Sequence, residues 1–323
     1  MSLVNINPET FSSLKGKVIV VLGAALVSQL TEAGAEVIWG DIASPTTPDP
    51  RFVPTDASSY ASILNLFKTA RARHRHAGGV IDHAVCNAGV GGHELAFFTR
   101  PKGDGDEDAE IDEEPSTRTL DVNLRGPLFF LRIAVHFLRR RRGHPDAAAL
   151  GDVAGGGGGK EEEEEGGRSS ASPTPSALPS IMLVSSNAGF GEFAGTYAYS
   201  AAKHGVVGLF RSAKAFLLAA EGIRTNVVLP GLTRTPMTTG VADALEAAGI
   251  PCNAAEDVAR AIVHALASPD KDCSGEAYFV SGGRTYEIEK SARELRPRWL
   301  GADLDRDTTA FEDAFYQVRC FTL

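Results

Sequence analysis

A tyrosine and a lysine in this chain have the spacing that places two side chains together on a helix. Tyr199 and Lys203 are four residues apart, which is about one helical turn. A lysine ammonium beside a phenol stabilises the phenolate, so the pair predicts a pKa of Tyr199 lowered from about 10 toward neutrality. A phenol tuned in this way can give a proton to a substrate oxygen or take one from it.

A serine stands thirteen residues before this tyrosine. Ser186 follows the apolar run 181–184, which predicts a buried strand. Strand ends that lead into helices are where α/β proteins place their active sites. The sequence therefore predicts that Ser186, Tyr199 and Lys203 form one site.

The spacing of these three residues resembles that of the short-chain dehydrogenase/reductase family. The resemblance implies an α/β fold with a Rossmann-like, doubly wound parallel sheet in a single domain. It implies that Tyr199 is the general acid/base and that Ser186 hydrogen-bonds the reacting oxygen. Lys203 would lower the pKa of Tyr199 and bind the nicotinamide ribose. Tyr197 does not fit the pattern, because Ala201 stands four residues after it.

Two further segments match the family. Asn123 matches an asparagine whose backbone holds a water linking the lysine to solvent, and an asparagine that satisfies its local backbone is the alternative. Asn87 and Gly89 match a turn that supports the sheet and passes close to the cofactor. Cys86 replaces an asparagine of that turn and is interpreted as a small core residue.

The first part of the chain predicts the βαβ unit of a nucleotide-binding fold, with a strand at 16–21, a helix at 24–33 and a strand at 36–41. By resemblance, Asp41 at the end of the second strand accepts hydrogen bonds from the adenosine ribose, which favours NAD over NADP. Asp56 matches the aspartate that contacts the adenine side.

The turn between the first strand and the first helix departs from the family. The pattern Thr-Gly-x-x-x-Gly-x-Gly is reduced to Leu22-Gly23, so about six residues, including two glycines, are absent. Those glycines let the backbone approach the pyrophosphate. Gly23 is the remaining cofactor-binding candidate. Either the chain binds the cofactor poorly, or an in-frame stretch is missing from the coding sequence.

The second half of the predicted domain supplies further cofactor-binding candidates. Pro230 and Gly231 end a predicted strand and match the turn near the nicotinamide, and Thr235 matches a threonine near its carboxamide or the phosphates. Residues 235–251 are the predicted substrate lid, whose short, Ala- and Thr-rich sequence indicates a small and fairly apolar substrate. The strand at 275–280 is predicted to be the last.

The composition limits the class of protein. The 323 residues carry a net charge of -9, which argues against nucleic-acid binding. No apolar run reaches the roughly 18–20 residues that a membrane span needs, so no membrane association is expected. The cysteines lack metal-ligand spacing, which predicts no metal site, no disulfide framework and a reducing, cytoplasmic location. They are Cys86, Cys252, Cys273 and Cys320.

The predicted domain spans 14–283 and carries two low-complexity insertions. An acidic one at about 101–115 and a Gly-, Glu-, Ser- and Pro-rich one at 144–180 are expected to be disordered. Residues 284–323 are a C-terminal extension that packs on a neighbouring subunit or roofs the substrate pocket. The resemblance implies a homodimer or homotetramer built on long helices.

The expected activity is hydride transfer between NAD(H) and the secondary alcohol or ketone of a small molecule, and two alternatives stay open. A catalytically impaired, scaffold-like protein is favoured by the short glycine turn and opposed by the complete Ser, Tyr, Lys and Asn set. A reductase that tailors a polyketide or similar metabolite would use the same chemistry, and the fold does not fix the substrate.

Overall fold

The computed structural model describes residues 2–75, 78–91, 114–139, 178–269 and 273–321. Residues 319–321 are described by their backbone alone. The strands are β1 (Ser2–Leu3), β2 (Val18–Leu22), β3 (Glu36–Asp41), β4 (Phe52–Pro54), β5 (His83–Cys86), β6 (Ser180–Val184), β7 (Arg224–Pro230), β8 (Ala277–Ser281) and β9 (Arg284–Glu287). The helices are α1 (Val27–Glu32), α2 (Tyr60–Arg73), α3 (Arg118–Leu120), α4 (Gly126–Leu138), α5 (Tyr197–Glu221), α6 (Thr239–Ala247), α7 (Ala255–Ala267), α8 (Glu289–Leu300) and α9 (Ala302–Phe321).

The described strands form one sheet in the order β1-β9-β8-β7-β6-β5-β2-β3-β4. The strands from β4 to β8 in this order are all parallel to their neighbours, whereas β9 and β1 are antiparallel. The chain first builds outward from β2 through β3 to β4, and then crosses back to β5 and builds the other way. This topology confirms the predicted doubly wound α/β fold and adds two antiparallel strands at one edge.

Strand β2 shows why the sheet forms. All five of its residues are buried, as expected for a parallel strand covered on both faces. Val18, Val20 and Leu22 belong to a core cluster with α2, α4 and α5, whereas Ile19 and Val21 belong to a second cluster with α1 and α7. Helices therefore cover both sides of the sheet and leave the strand ends for a site.

The first helix is shorter than the predicted 24–33. Gly23 follows β2 with a φ of +103°, and a Cβ there would lie 2.8 Å from the Ala88 nitrogen. The backbone therefore packs directly on the turn after β5 and changes direction before a helix can begin. Ala24 and Ala25 stay exposed in this connection, and α1 starts only at Val27.

The strand predicted to be last, β8, is followed by one more. Gly282 and Gly283 have φ values of +56° and +72°, which lets a two-residue turn lead into β9. Thr285 and Glu287 are each 4% exposed, so the strand has a buried face. The first residues of the predicted C-terminal extension are thus part of the central sheet, and the Gly-Gly pair is the signal that the sequence reading passed over.

The two predicted insertions fall largely outside the described residues. Residues 101–113 and 144–177 are not described, while 114–115 precede α3 and Ser180 opens β6. In the helices that are described, no stretch is long and apolar enough to cross a membrane.

The C-terminal helices are held to the domain by ion pairs. Glu289 at the start of α8 accepts hydrogen bonds from Arg211 and Lys214 on α5, each at 2.9 Å at its closest. Farther along, Trp299 is 71% and Phe311 is 70% exposed. Both side chains thus face solvent in this chain, and contact with a neighbouring subunit or with the substrate pocket stays a prediction.

Candidate active site

The predicted site residues gather where parallel strands end. Gly23 follows β2, Asn87 follows β5, Ser186 stands two residues after β6, and Pro230 ends β7. Strands β2, β5, β6 and β7 are consecutive neighbours in the sheet, and they run in the same direction. The chain order reverses between β2 and β5, which is where open α/β sheets bind their ligands.

Ser186 and Tyr199 are hydrogen-bonded to each other through their side chains. Ser186 is 8% exposed, and its hydroxyl also accepts from the Ala188 nitrogen at 3.2 Å and donates to the Asn187 Oδ1 at 3.0 Å. A short turn at Asn187–Gly189 therefore fixes the serine rotamer. The hydroxyls of Ser186 and Tyr199 form a pair that can hold one substrate oxygen.

The predicted lowering of the tyrosine pKa is wrong for this structure. Burial raises the pKa of Tyr199, and the hydrogen bond with Ser186 lowers it by a smaller amount. Lys203 does not oppose this effect, because its ammonium lies 5.6 Å from the centre of the Tyr199 ring and donates to the Val184 carbonyl at 3.3 Å. Tyr199 is therefore a protonated phenol at neutral pH.

Lys203 is a buried cation, 5% exposed. Burial lowers its pKa from 10.5 to about 8, and Cys86 at the end of β5 acts weakly in the opposite direction. The Cys86 thiol is itself buried, which raises its pKa to about 12, so it fills the core as predicted. Lys203 keeps its positive charge at neutral pH but stands close to losing it.

Asn123 lies in a π-helical turn, Asp121–Arg125, in which the Gly126 nitrogen donates to the Asp121 carbonyl five residues back. The side chain of Asn123 is fully buried. Its Nδ2 donates to the Val90 carbonyl at 2.7 Å, and its Oδ1 accepts from the Val90 nitrogen at 2.8 Å. This partner is distant in sequence, so the local-backbone alternative is wrong. The relay role of Asn123 stays a prediction.

The side chain of Asn123 fixes the turn that holds Gly89. A Cβ on Gly89 would lie 3.2 Å from the Asn123 Oδ1 and 3.5 Å from the Lys203 Nζ. Only a residue without a side chain leaves the space above the lysine open. The same turn contacts Gly23, because a Cβ there would lie 3.0 Å from the Asn87 Nδ2. The two predicted cofactor segments are thus packed together.

Two predicted carboxylates lie at the β3 and β4 side of this site. Asp41 ends β3 and accepts from the Ala43 nitrogen at 3.1 Å, with its other oxygen free of described protein donors. Asp56 accepts from both the hydroxyl and the nitrogen of Ser58, and these hydrogen bonds lower its pKa. Asp41 is therefore available to a ligand, whereas Asp56 is largely engaged by Ser58.

The turn after β7 is also ordered by its own hydrogen bonds. The Gly231 nitrogen donates to the Val280 carbonyl at 2.8 Å, and the Gly231 carbonyl accepts from the Thr233 hydroxyl at 3.0 Å. Thr235 lies beyond this turn, with its hydroxyl 3.3 Å from that of Thr238. Thr235 is thus near the site edge, and its predicted contact with the cofactor stays a prediction.

Ser185 is a site residue that the sequence reading passed over. Its hydroxyl donates to the Lys203 carbonyl at 2.8 Å, and its nitrogen donates to the Val228 carbonyl at 2.8 Å. This side chain fastens α5 to the end of β6 and so sets the separation of Ser186 from Tyr199. The sequence signal for this residue is the pair Ser185-Ser186. The family spacing selects only Ser186 from this pair.

Comparison with known proteins assigns the family. The model of the short chain dehydrogenase family matches residues 178–246. A relative from Acremonium egyptiacum, the short-chain dehydrogenase/reductase ascJ, is 30% identical over 302 residues, which cover 90% of this chain and 87% of the relative. The chain belongs to the short-chain dehydrogenase/reductase family.

Other members of the family align over nearly the whole chain. The 5'-hydroxyaverantin dehydrogenase of Dothistroma septosporum is 25% identical over 329 residues, covering 94% of this chain and 95% of the relative. The ligand-free structure of an aldohexose dehydrogenase from Thermoplasma acidophilum has a TM-score of 0.55 and 22% identity, and covers 84% of this chain and 95% of its own. The latter supports the fold alone.

The short-chain dehydrogenase/reductase family generally uses NAD or NADP, and the site residues fit such a dinucleotide at both ends. Asp41 offers a carboxylate at one end, and Lys203 lies beside the open space at Gly89 at the other. Between these two ends of the site, the connection from β2 to α1 consists only of residues 23–26. The backbone N–H groups of Ala24 and Ala25 have no hydrogen-bond partner among the described residues, so they can face a phosphate.

The buried lysine predicts a stability that depends on pH. Because the folded pKa of about 8 lies below the ordinary 10.5, the charge opposes folding below pH 8, and this effect fades as pH rises to about 10.5. We expect Lys203→Met to raise the free energy of unfolding by at most about 3 kcal/mol at pH 7, with a smaller gain at pH 10. Urea unfolding at both pH values measures this.

The matched control is Lys68→Met, which removes an exposed lysine from α2. Its effect on the free energy of unfolding is expected to be small at both pH values. A gain for Lys203→Met that is the same at pH 7 and pH 10 would contradict the assignment of a buried, pKa-shifted ammonium.

Proposed function

We propose that this chain transfers a hydride between NAD(H) and the secondary alcohol or ketone of a small, fairly apolar molecule. The observation that carries the proposal is the convergence of three groups at the end of β6. Ser186 hydrogen-bonds Tyr199, and the Lys203 ammonium lies beneath the phenol ring. Paired hydroxyl donors above a buried cation suit an oxygen that gains or loses negative charge.

In this proposal Tyr199 moves the proton and Ser186 holds the reacting oxygen. Because burial raises the pKa of Tyr199, the phenol is protonated at neutral pH and is ready to donate to a carbonyl oxygen. Without a cofactor bound, the protonation state of Tyr199 therefore favours ketone reduction over alcohol oxidation. Asn123 orders the water that reconnects Lys203 to solvent.

The cofactor, when bound, supplies or accepts the hydride. Lys203 would hold the nicotinamide ribose, and the backbone near Gly89 and Gly231 would border the nicotinamide. Asp41 would accept hydrogen bonds from the adenosine ribose hydroxyls. Its negative charge would also repel the extra phosphate of NADP. We therefore propose NAD rather than NADP.

A second candidate rests on the short connection after β2. With Gly23 as its one glycine, this connection offers fewer backbone N–H groups to a pyrophosphate than the family pattern does. A chain that keeps the Ser, Tyr and Lys set but binds the dinucleotide weakly would act as a scaffold or partner subunit. The complete catalytic set supports the first candidate over this one.

The substrate is proposed at the level of its class. A tailoring reductase of a polyketide or similar metabolite is one form of the same proposal, and the similarity to a protein named 5'-hydroxyaverantin dehydrogenase supports it. That name describes a dehydrogenase of a hydroxylated compound, so it supports the class of reacting group and not the direction of the reaction. The apolar lid residues 235–251 are compatible with such a substrate.

We also propose self-association through the outer faces of α4 and α5. An apolar groove lies there, with Leu128 49% and Phe216 38% exposed at its rim. Its Phe216 end is far from Tyr199, since Phe216 is seventeen residues farther along the same helix, or about 25 Å at 1.5 Å per residue. Covering it would leave the catalytic end of α5 accessible.

The role of Tyr199 predicts a selective loss of turnover. We expect Tyr199→Phe to lower kcat by about 10²–10⁴-fold, the usual contribution of a positioned acid or base. NADH affinity should change little, since the ring stays in place. The measurement is steady-state kinetics together with nicotinamide fluorescence.

Tyr197→Phe is the matched control, because this tyrosine begins the same helix but points about 200° away from Tyr199. Its kcat should stay within twofold of the original, as roughly expected for a surface change. Full turnover in Tyr199→Phe would contradict the acid/base assignment.

The carboxylate at the end of β3 predicts the cofactor preference. We expect Asp41→Ala to weaken NADH binding by about tenfold, the loss of one charged hydrogen-bond acceptor. NADPH binding should weaken less or improve, because the repulsive charge is removed. Fluorescence titrations with both nucleotides measure the ratio of the NADH and NADPH dissociation constants. A ratio unchanged by Asp41→Ala would contradict the ribose role.

The short connection is tested by lengthening it. NADH is titrated into the chain as it stands and into a variant with a Thr-Gly-x-x-x-Gly stretch inserted after Val21. We expect the original chain to bind and the variant to bind about 10–100-fold more tightly, because several N–H groups are added to the phosphate cradle. Failure of both proteins to bind would contradict the oxidoreductase proposal and support the scaffold candidate.

A further inference from the structure

The lid segment, 235–251, reaches from the end of β7 to the loop that follows β5. It leaves the sheet after β7, and its Met237 contacts Gly91 beyond β5, where a Cβ would lie 3.2 Å from the Met237 Cγ. Strand β6 lies between β5 and β7. The lid therefore lies at the same end of the sheet at which β6 leads to Ser186.

Both ends of this lid segment meet at one buried residue, Asn253, which is 1% exposed. Its backbone nitrogen donates to the Leu232 carbonyl at 2.8 Å, and its carbonyl accepts from the Arg234 nitrogen at 2.9 Å. A parallel bridge thus pairs the chain that enters the lid with the chain that leaves it. The lid is a closed loop whose two ends are joined at this point.

The side chain of Asn253 extends this junction to the sheet. Its Nδ2 donates to the Val280 carbonyl at 2.9 Å and to the Thr233 hydroxyl at 3.3 Å, while its Oδ1 accepts from the Gly283 nitrogen at 3.0 Å. A carbonyl can only accept and a backbone N–H can only donate, so the network itself fixes the orientation of the amide.

The partners of Asn253 are also the partners of Gly231. The Val280 carbonyl accepts from the Gly231 nitrogen, and the Thr233 hydroxyl donates to the Gly231 carbonyl. One amide group therefore contacts both of the groups that hydrogen-bond the backbone N–H and C=O of Gly231. Moving the Asn253 side chain would break its bonds to Val280, Thr233 and Gly283, which brace the Gly231 turn beside the lid junction.

We propose that Asn253 is a positioning residue, which holds the Gly231 peptide and the lid at a fixed place over the nicotinamide and substrate positions. The effect of Asn253 on catalysis rests on the proposed function. Its effect on the position of the lid rests on the hydrogen-bond network alone. Asparagine is required because the position needs a donor and an acceptor on one short, uncharged side chain. An aspartate there would face the Val280 carbonyl without a proton to donate.

Asn226 provides a matched control. It is fully buried on β7, donates to the Cys273 carbonyl at 2.8 Å and accepts from the Glu276 nitrogen at 2.9 Å. Its chemistry matches that of Asn253, but it lies near the opposite end of the strand from Gly231. Loss of stability alone should therefore be similar for Asn226→Asp and Asn253→Asp.

The test compares these two variants by hydrogen exchange and by NADH binding. We expect Asn253→Asp to speed amide exchange in the lid peptides by about tenfold or more and to weaken NADH binding by about tenfold, the size expected from one to two buried hydrogen bonds. Asn226→Asp should leave both values close to those of the original chain while lowering the melting temperature.

A milder variant covers the case in which Asn253→Asp does not fold. Thr233→Val keeps the shape of the side chain and removes the hydroxyl between Asn253 and Gly231, and it should change both readouts in the same direction by a smaller factor. Equal lid exchange in the Asn253 and Asn226 variants, or unchanged lid exchange in Thr233→Val, would overturn the proposal. If neither the original chain nor the variant lengthened after Val21 binds NADH, the proposed function fails, and lid exchange alone decides the role of Asn253.

Discussion

The parallel direction of neighbouring strands is the constraint on which this molecule depends. Because β2, β5, β6 and β7 run the same way, their carboxyl ends meet at one edge of the sheet, and each end delivers one part of the site. The residues just before these ends are mostly apolar and buried, so the polar groups of the site stand at the ends. The topology brings these ends together, and α5 adds Tyr199 and Lys203 beside them.

The burial of Lys203 gives this site its electrostatic character. A cation with little solvent around it is costly, and the cost appears as a pKa of about 8. The ammonium is held by the Val184 carbonyl and by the face of the Tyr199 ring. The same burial that lowers the pKa of the lysine raises that of the tyrosine, so at neutral pH the pair is a protonated phenol above a charged ammonium.

Several features could be read from the sequence because they depend on neighbours in the chain. The apolar run of β6 and the spacing from Ser186 to Lys203 predicted a strand, a turn and a helix, and all three are present. The first helix was predicted too long, because its start is set by the contact of Gly23 with the turn after β5. That contact joins residues more than sixty positions apart, which no local pattern records.

The sequence by itself determined the family, the doubly wound parallel sheet and the Ser, Tyr, Lys and Asn set that could do chemistry. The tertiary structure alone decided the sign of the pKa shift of Tyr199, the partners of Asn123 and the junction at Asn253. The physical reason is that periodicity and spacing describe how a side chain relates to its own helix or strand. Burial and long-range hydrogen bonds depend on which other elements pack against it, and these are fixed only when the sheet has formed.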